Sequence, residues 1–110
     1  MKTFENQAAQ GDVWIKRVDQ IPTGLKVLEP ENGAHIVAHS ETGHHHLIES
    51  KYCHLYFGDD MTTFLDVERP VVLKHMRDYD THEPISIGVG KYKLKRHREH
   101  TPEGWRRVED

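Results

Sequence analysis

The feature that most constrains the fold is a series of short segments, rich in β-branched and aromatic residues, with turn residues between them. Examples are residues 13–18, 52–57, 62–67 and 71–76, with glycine, proline and aspartate in the intervening stretches. Runs of this length and composition are typical of strands, and no segment shows a convincing helical period. About eight such short strands predict an all-β fold, either a small antiparallel barrel or a jelly-roll-like sandwich.

The length of 110 residues suits a single domain. Residues 1–12 are polar and do not alternate, so we expect a flexible N-terminal arm or an edge extension, followed by one β domain over residues 13–110. Cys53 is the only cysteine, which excludes an internal disulfide and fits a reducing compartment. Because the chain lacks an apolar run of membrane-spanning length and residues 1–10 lack a secretory signal, we expect a cytoplasmic protein without a membrane partner.

Ten of the residues are histidine, and they concentrate around a predicted hairpin. Residues 34–39 and 44–49 have the pattern of strands, and residues 40–43 form a connection of hairpin length that contains a glycine. Side chains alternate between the two faces of a strand, so the simplest register places one row of imidazoles on a single face. That row consists of His35, His39, His44 and His46. The expected pairs are His39 with His44, Val37 with His46, and His35 with Ile48.

This row of imidazoles predicts a divalent-metal site, because directly opposed side chains are about 5 Å apart at Cβ and imidazole is a common metal ligand. Glu41, at the hairpin tip, is a candidate carboxylate ligand or general base, and neighbouring elements can supply further histidines. The metal would be Zn, Fe, Ni or Mn. The predicted ligands are His39, His44, His46, Glu41, His75 and His82. The alternative is that these histidines are a solvated strand face, and a bulge in the hairpin would exchange their roles.

Two resemblances concern the same region. The stretch 33–58, with its His44–His46 run and Glu49, resembles the first metal motif of the cupin family, and Pro84, Gly90 and His97 are loosely similar to the second. This resemblance implies a small jelly-roll barrel with a bound metal. The segments His39–His46 and His100–Arg107 resemble an HSETGHHH-type segment and a C-terminal tail of small uncharacterised phage and prophage proteins, and this second resemblance implies no known activity.

A basic C-terminal region supports a different function. Residues 91–107 contain seven basic and two acidic residues in a chain whose net charge is −3. Alternation places Tyr92 and Leu94 on one face of this strand and its lysines on the other, so contact with nucleic acid is an alternative function, with Tyr92 or Trp105 as stacking surface if exposed. The predicted contacts are Lys91, Lys93, Lys95, Arg98, Arg106 and Arg107.

Two further interpretations of this basic region remain open. The lysine-rich strand is also consistent with a charged sheet edge that resists aggregation. A third alternative is a phage accessory or structural interaction module that forms a homo-oligomer through its sheet edges. No motif assigns a reaction, so whether the protein is an enzyme is left open.

Overall fold

A computed structural model describes residues 1–38, 46–49, 51–75, 83–96, 98–101 and 104–107. Within these ranges the chain forms strands and no helix, so the prediction of an all-β fold is confirmed. The described strands are β1 (Gln7–Gln10), β2 (Val13–Val18), β3 (Lys26–Leu28), β4 (Ala34–Ala38), β5 (His46–Glu49), β6 (Cys53–Asp59), β7 (Thr62–Val67), β8 (Val71–His75), β9 (Ile85–Ile87), β10 (Gly90–Arg96), β11 (Arg98–Thr101) and β12 (Gly104–Arg107).

Ten of these strands form two sheets that pack as a sandwich rather than a closed barrel. The larger sheet has six strands in the order β1-β2-β10-β7-β6-β3, and the smaller has four in the order β4-β5-β8-β9. The named strands pair antiparallel, and β11 and β12 form a separate two-stranded ribbon. Each sheet turns one face inward, which is the usual arrangement when strands alternate apolar and polar residues.

The core lies between the two inner faces. In the smaller sheet, strand pairing aligns His35, Ile48, Leu73 and Ile85 in one row across its four strands. All four are buried, and each large apolar side chain withdrawn from water contributes about 1.5–3 kcal/mol to folding. The fully buried apolar side chains are Val13, Ile15, Ile48, Leu55, Leu65, Val67, Leu73, Ile85, Ile87 and Tyr92.

The histidine hairpin forms, but its register and orientation differ from the simple expectation. His35 pairs with Ile48 as predicted, whereas a bulge after Ile36 places Ala38, rather than Val37, opposite His46. The extra residue of a bulge shifts the pairing of everything beyond it. The face that carries His35 and His46 is also the core face of the sandwich, because Ile48 lies on it and continues into the apolar row. The interpretation of this face as a solvated one is therefore wrong for these two histidines.

The N-terminal segment and strand β10 both contribute residues to the sites described below. The N-terminal residues take the form of an edge extension from Gln7 to Gln10, because β1 pairs with β2 at the edge of the six-stranded sheet. Strand β10 lies inside that sheet and pairs with both β2 and β7, so the interpretation of its lysines as edge protection is wrong. The predicted alternation of β10 is confirmed, since Tyr92 and Leu94 are buried and Lys91 and Lys95 are exposed.

Candidate functional site

A buried polar network occupies one end of the sandwich. The turn between β1 and β2, with Gly11 at a φ of 56°, directs Gln10 and Asp12 inward, where both are buried. Glycine adopts positive φ at little steric cost, so it suits this turn. His46 begins β5 and is paired across the ladder with His75, the last residue of β8. Their rings are stacked, with centroids 3.9 Å apart and planes 9° from parallel.

Both ring nitrogens of His46 face acceptor oxygens. Its Nδ1 lies 2.9 Å from Oε1 of Gln10 and its Nε2 lies 3.1 Å from Oδ1 of Asp12. The orientation of the Gln10 side-chain amide is fixed, because its Nε2 donates to the backbone carbonyls of Leu73 and Glu83 at 2.9 and 3.1 Å. Gln10 and Asp12 therefore fix the position of the His46 ring from both of its nitrogens.

Asp12 lies between His46 and Arg96. Its Oδ1 accepts from His46, and its Oδ2 lies 3.5 Å from Nε of Arg96 at the end of β10. Burial alone would raise the pKa of Asp12, but the hydrogen bond and charge of His46, together with the charge of Arg96, lower it below its ordinary value. The network thus joins three strand ends with a carboxylate that stays ionised.

Only two of the six predicted metal ligands lie in the described part of the chain, and they do not form a metal site by themselves. The stacked rings of His46 and His75 are nearly parallel, so their in-plane lone pairs do not converge on one ion. Both nitrogens of His46 already have hydrogen-bond partners. Within the described ranges, no group of three or more histidine, cysteine, aspartate or glutamate side chains is placed to hold a metal. The other predicted ligands lie outside the described residues: His39, Glu41, His44 and His82.

The topology nevertheless brings the histidine-bearing connections to the same end. β4 ends at Ala38 and β5 begins at His46, so residues 39–45 join these two strands. β8 ends at His75, directly opposite His46, and the next connection starts there. The connections that carry His39, His44 and His82 are therefore attached to the end of the sandwich that holds the buried network.

The outer face of the six-stranded sheet carries lysines and aromatic rings. Pairing aligns Lys16, Lys93, Phe64 and Tyr56 in one row across β2, β10, β7 and β6. Lys93, Phe64 and Tyr56 are half-buried and Lys16 is exposed, and Nζ of Lys16 lies 5.9 Å from the centroid of the Trp14 ring. We call this surface the lysine face, which comprises Trp14, Lys16, Tyr56, Phe64, Lys91, Lys93 and Lys95.

The other predicted nucleic-acid contacts are placed differently. Tyr92 is fully buried and donates to the Gly88 carbonyl at 2.8 Å, so its predicted stacking role is wrong. Backbone pairing in the β11–β12 ribbon sets Arg98 opposite Arg107 and Glu99 opposite Arg106. From the predicted set, the lysine face as defined above contains Lys91, Lys93 and Lys95.

Cys53 is a structural thiol. It is buried, its Sγ lies 3.5 Å from the backbone carbonyl of Glu49, and burial, with a smaller effect from the charge of Glu68, raises its pKa to about 11. A thiol that stays protonated is a poor nucleophile. The adjacent His54 is exposed, with its Nε2 3.0 Å from Oε1 of Glu68.

Sequence reasoning missed Gln10, Asp12 and Arg96. The first two fall in the stretch taken for an arm, and Arg96 was counted among the basic residues of the C-terminal region. One signal was present, because the Gly11–Asp12 pair is typical of a tight turn and directly precedes the strand pattern of residues 13–18. The partners of this turn are 34 or more residues away, which local pattern does not indicate.

These features define a small antiparallel β-sandwich protein with a buried ionic network at one end and a lysine-rich sheet face. The chain belongs to the family described as "Domain of unknown function (DUF8820)", whose model matches residues 9–101. Comparison with curated proteins and with solved structures gave no match. Among the described residues, no helix is long and apolar enough to cross a membrane. The resemblances to cupins and phage proteins stay predictions.

Proposed function

We propose that the protein is a nucleic-acid-associated module that binds single-stranded nucleic acid on its lysine face. The observation that carries this proposal is the direct pairing of Lys16 with Lys93 beside Phe64 and Trp14. Like charges directly opposite one another on a sheet are destabilising, and a bound phosphate relieves that repulsion. On the three strands β2, β10 and β7 this face has four lysines and only Asp66 as a carboxylate.

The aromatic residues supply the second part of the argument. Bases of single-stranded nucleic acid stack on aromatic side chains of exposed sheet faces, while neighbouring cations contact the backbone. Trp14, Phe64 and Tyr56 are half-buried. Part of each ring is therefore accessible, while the rest of the side chain packs against the sheet. Spacing between neighbouring strands is about 4.8 Å, so Phe64 and Tyr56 offer adjacent surfaces on one row.

Fluorescence anisotropy with a labelled single-stranded oligonucleotide tests the proposal. The Lys16→Gln/Lys93→Gln variant is expected to bind about tenfold or more weakly at low salt, and the slope of log affinity against log salt should fall by about 1.4 because two phosphate contacts are lost. The matched control is Lys51→Gln/Lys74→Gln, which changes the net charge equally on other surfaces. Absence of binding at low salt, or equal weakening in both variants, would contradict the proposal.

Phe64→Leu separates stacking from charge. The substitution keeps an apolar side chain on the same row and should weaken binding about tenfold, which is within the range measured for one base stacked on one ring. The salt slope should stay unchanged, because no phosphate contact is removed. An altered slope with unchanged affinity would contradict the stacking part of the proposal.

A second candidate function is binding of a divalent metal by the histidines attached to the end of the sandwich, and the pairing of His46 with His75 favours it. This pairing brings together the points where the two histidine-bearing connections leave the sheet. Zn, Fe, Ni and Mn are the candidate ions. Because His46 already has two hydrogen-bond partners, the connecting histidines rather than His46 would supply the ligands.

Metal content of untagged protein tests this second candidate. The His39→Ala/His44→Ala variant leaves the buried network intact and should lose the metal, whereas the control His54→Ala/His100→Ala should retain it. Equal metal content in the two variants, or no metal in the unmodified protein after exposure to each ion, would contradict the candidate.

A further inference from the structure

An open pocket of about 490 Å³ lies on the outer side of the six-stranded sheet, at the border of the lysine face. Its floor takes one side chain from each of three adjacent strands: Lys91 of β10, Asp66 of β7 and Tyr56 of β6. Asp66 is paired with Lys91 and lies on the outer face, because its neighbours Leu65 and Val67 are buried. The pocket therefore shares Tyr56 and Lys91 with the lysine face and adds a carboxylate to them.

The connection from β2 to β3, residues 19–25, forms the wall of this pocket. β2 and β3 are four strand spacings apart in the sheet, which is about 19 Å. The chain between Val18 and Lys26 reaches at most about 26 Å when fully extended. The connection therefore has little slack and stays close to the three strands that it passes. Its apolar side chains at the pocket are Ile21, Pro22 and Leu25.

Asp66 has no evident role in contacts with phosphate. A carboxylate repels the phosphate groups that the surrounding lysines attract. Its side chain is half-buried, so it remains accessible from the pocket. Among the described residues, none forms a hydrogen bond or an ion pair with its carboxylate, and this includes Lys91, its partner across the ladder. Both carboxylate oxygens are thus available as acceptors for a group bound in the pocket.

We propose that this pocket binds one base of the single strand and favours guanine, an inference that rests on the nucleic-acid binding proposed above. Guanine has two neighbouring donors on its Watson–Crick edge, the N1–H and the N2 amino group, and they match the two oxygens of one carboxylate. Adenine and cytosine have an amino donor beside a bare ring nitrogen, and thymine and uracil have an N–H between two carbonyl oxygens. The carboxylate of Asp66 would be repelled by those acceptor atoms.

The other pocket residues fit a bound nucleotide. The ring of Tyr56 offers a stacking surface for the base, and Lys91 can contact the adjoining phosphate. The volume lies within the range of about 300–1,000 Å³ that is typical of small-ligand sites, which leaves room for a base together with its sugar.

Fluorescence anisotropy with labelled oligothymidylate, and with the same strand carrying one central guanine, adenine or hypoxanthine, tests the proposal. The guanine strand should bind about tenfold more tightly than the adenine strand, which controls for the stronger stacking of a purine. Hypoxanthine keeps the N1–H but lacks the amino group, so its strand should bind with intermediate affinity. Equal affinity of the guanine strand and either of these two would overturn the guanine pocket while leaving nucleic-acid binding intact. Failure of every strand to bind at low salt would overturn both proposals.

Asp66→Asn locates the contact. This variant should lose the tenfold preference for guanine over adenine, because an amide presents one acceptor in place of two. The matched control is Asp60→Asn, an exposed position in the turn at the other end of β7, which changes the net charge equally and should keep the preference. An unchanged preference in Asp66→Asn, or an equal loss in Asp60→Asn, would reject the site. The hypoxanthine comparison uses the unmodified protein, so it tests the contact independently of any effect of the substitution on folding.

Discussion

Replacement of Asp12 by asparagine is expected to destabilise the sandwich far more than replacement of Glu68 by glutamine. Both carboxylates accept from Nε2 of a histidine, at 3.1 Å for Asp12 with His46 and at 3.0 Å for Glu68 with His54. The two pairs differ in burial, because the side chains of the first are 3% and 6% exposed and those of the second 53% and 62%. The comparison therefore measures the effect of burial on one kind of contact between a carboxylate and a histidine.

The expected magnitudes follow from that difference. Loss of one partner of a buried ion pair costs about 3–5 kcal/mol, because the other charge is left in a poorly solvated place. Asparagine can still accept one hydrogen bond and the side chain of Arg96 is 17% exposed, so we expect about 3 kcal/mol for Asp12→Asn. An exposed pair contributes about 0–1 kcal/mol. In a domain of roughly 100 residues these losses correspond to about 10–20 °C and less than about 8 °C in Tm.

The pH dependence gives an independent check. Because the pKa of Asp12 is lowered in the folded state, its contribution to stability is fully present above the pKa of the unfolded chain, near 3.8. That contribution is lost as the pH falls through the lower pKa of the folded state. The free energy of unfolding of the unmodified protein should therefore decrease more steeply below about pH 4 than that of Asp12→Asn.

Urea unfolding followed by circular dichroism at pH 7, and repeated between pH 3 and 7, measures both quantities. The reasoning requires Asp12→Asn to lose at least about 2 kcal/mol more than Glu68→Gln at neutral pH. Equal losses, or identical pH profiles for the unmodified protein and Asp12→Asn, would refute it.

Three further predictions concern other parts of the fold. Cys53, with its pKa raised to about 11, should react with Ellman's reagent only at the rate of unfolding; rapid stoichiometric reaction in the native state would contradict its burial. Gly90 has a φ of 147°, and a Cβ at this position would meet the guanidinium of Arg17. Gly90→Ala should therefore lower the free energy of unfolding in urea by about 1–2 kcal/mol, and an unchanged midpoint would be evidence against this strain. Thr63→Val removes a buried hydroxyl that makes no hydrogen bond in the described structure, so thermal unfolding should show a gain of up to about 1 kcal/mol rather than a loss.

The strand content could be predicted from sequence because alternation is local. The hairpin of β4 and β5 and the pairing of His35 with Ile48 follow from patterns within about fifteen residues. The bulge after Ile36 could not be predicted, because an extra residue in one strand leaves the local apolar pattern almost unchanged. Because the simple register lacks this bulge, it gave His46 the wrong partner. The structure was needed to identify the strand face that carries His46 as the core face.

The sites were harder to predict because their residues are distant in the chain. Asp12 lies 34 residues from His46, and Gln10 lies 63 residues from the carbonyl it donates to. Composition makes both look like solvent-exposed residues, since buried charge is rare unless it is paired. The lysine face was predicted in part, because alternation in β10 placed its three lysines on one face. That Lys16 and Phe64 lie next to them depends on the order of the strands in the sheet, which the sequence does not indicate.

The turn at Gly11 has a practical consequence for anyone who shortens this protein. The polar stretch before Val13 looks dispensable, yet it supplies the amide and the carboxylate that lie within hydrogen-bond distance of the two nitrogens of the His46 ring. A fragment that starts at Val13 would also lack β1, and β2 would then be the uncovered edge of the sheet. We expect such a fragment to aggregate, because the unpaired backbone groups of an uncovered edge strand can pair with those of another copy.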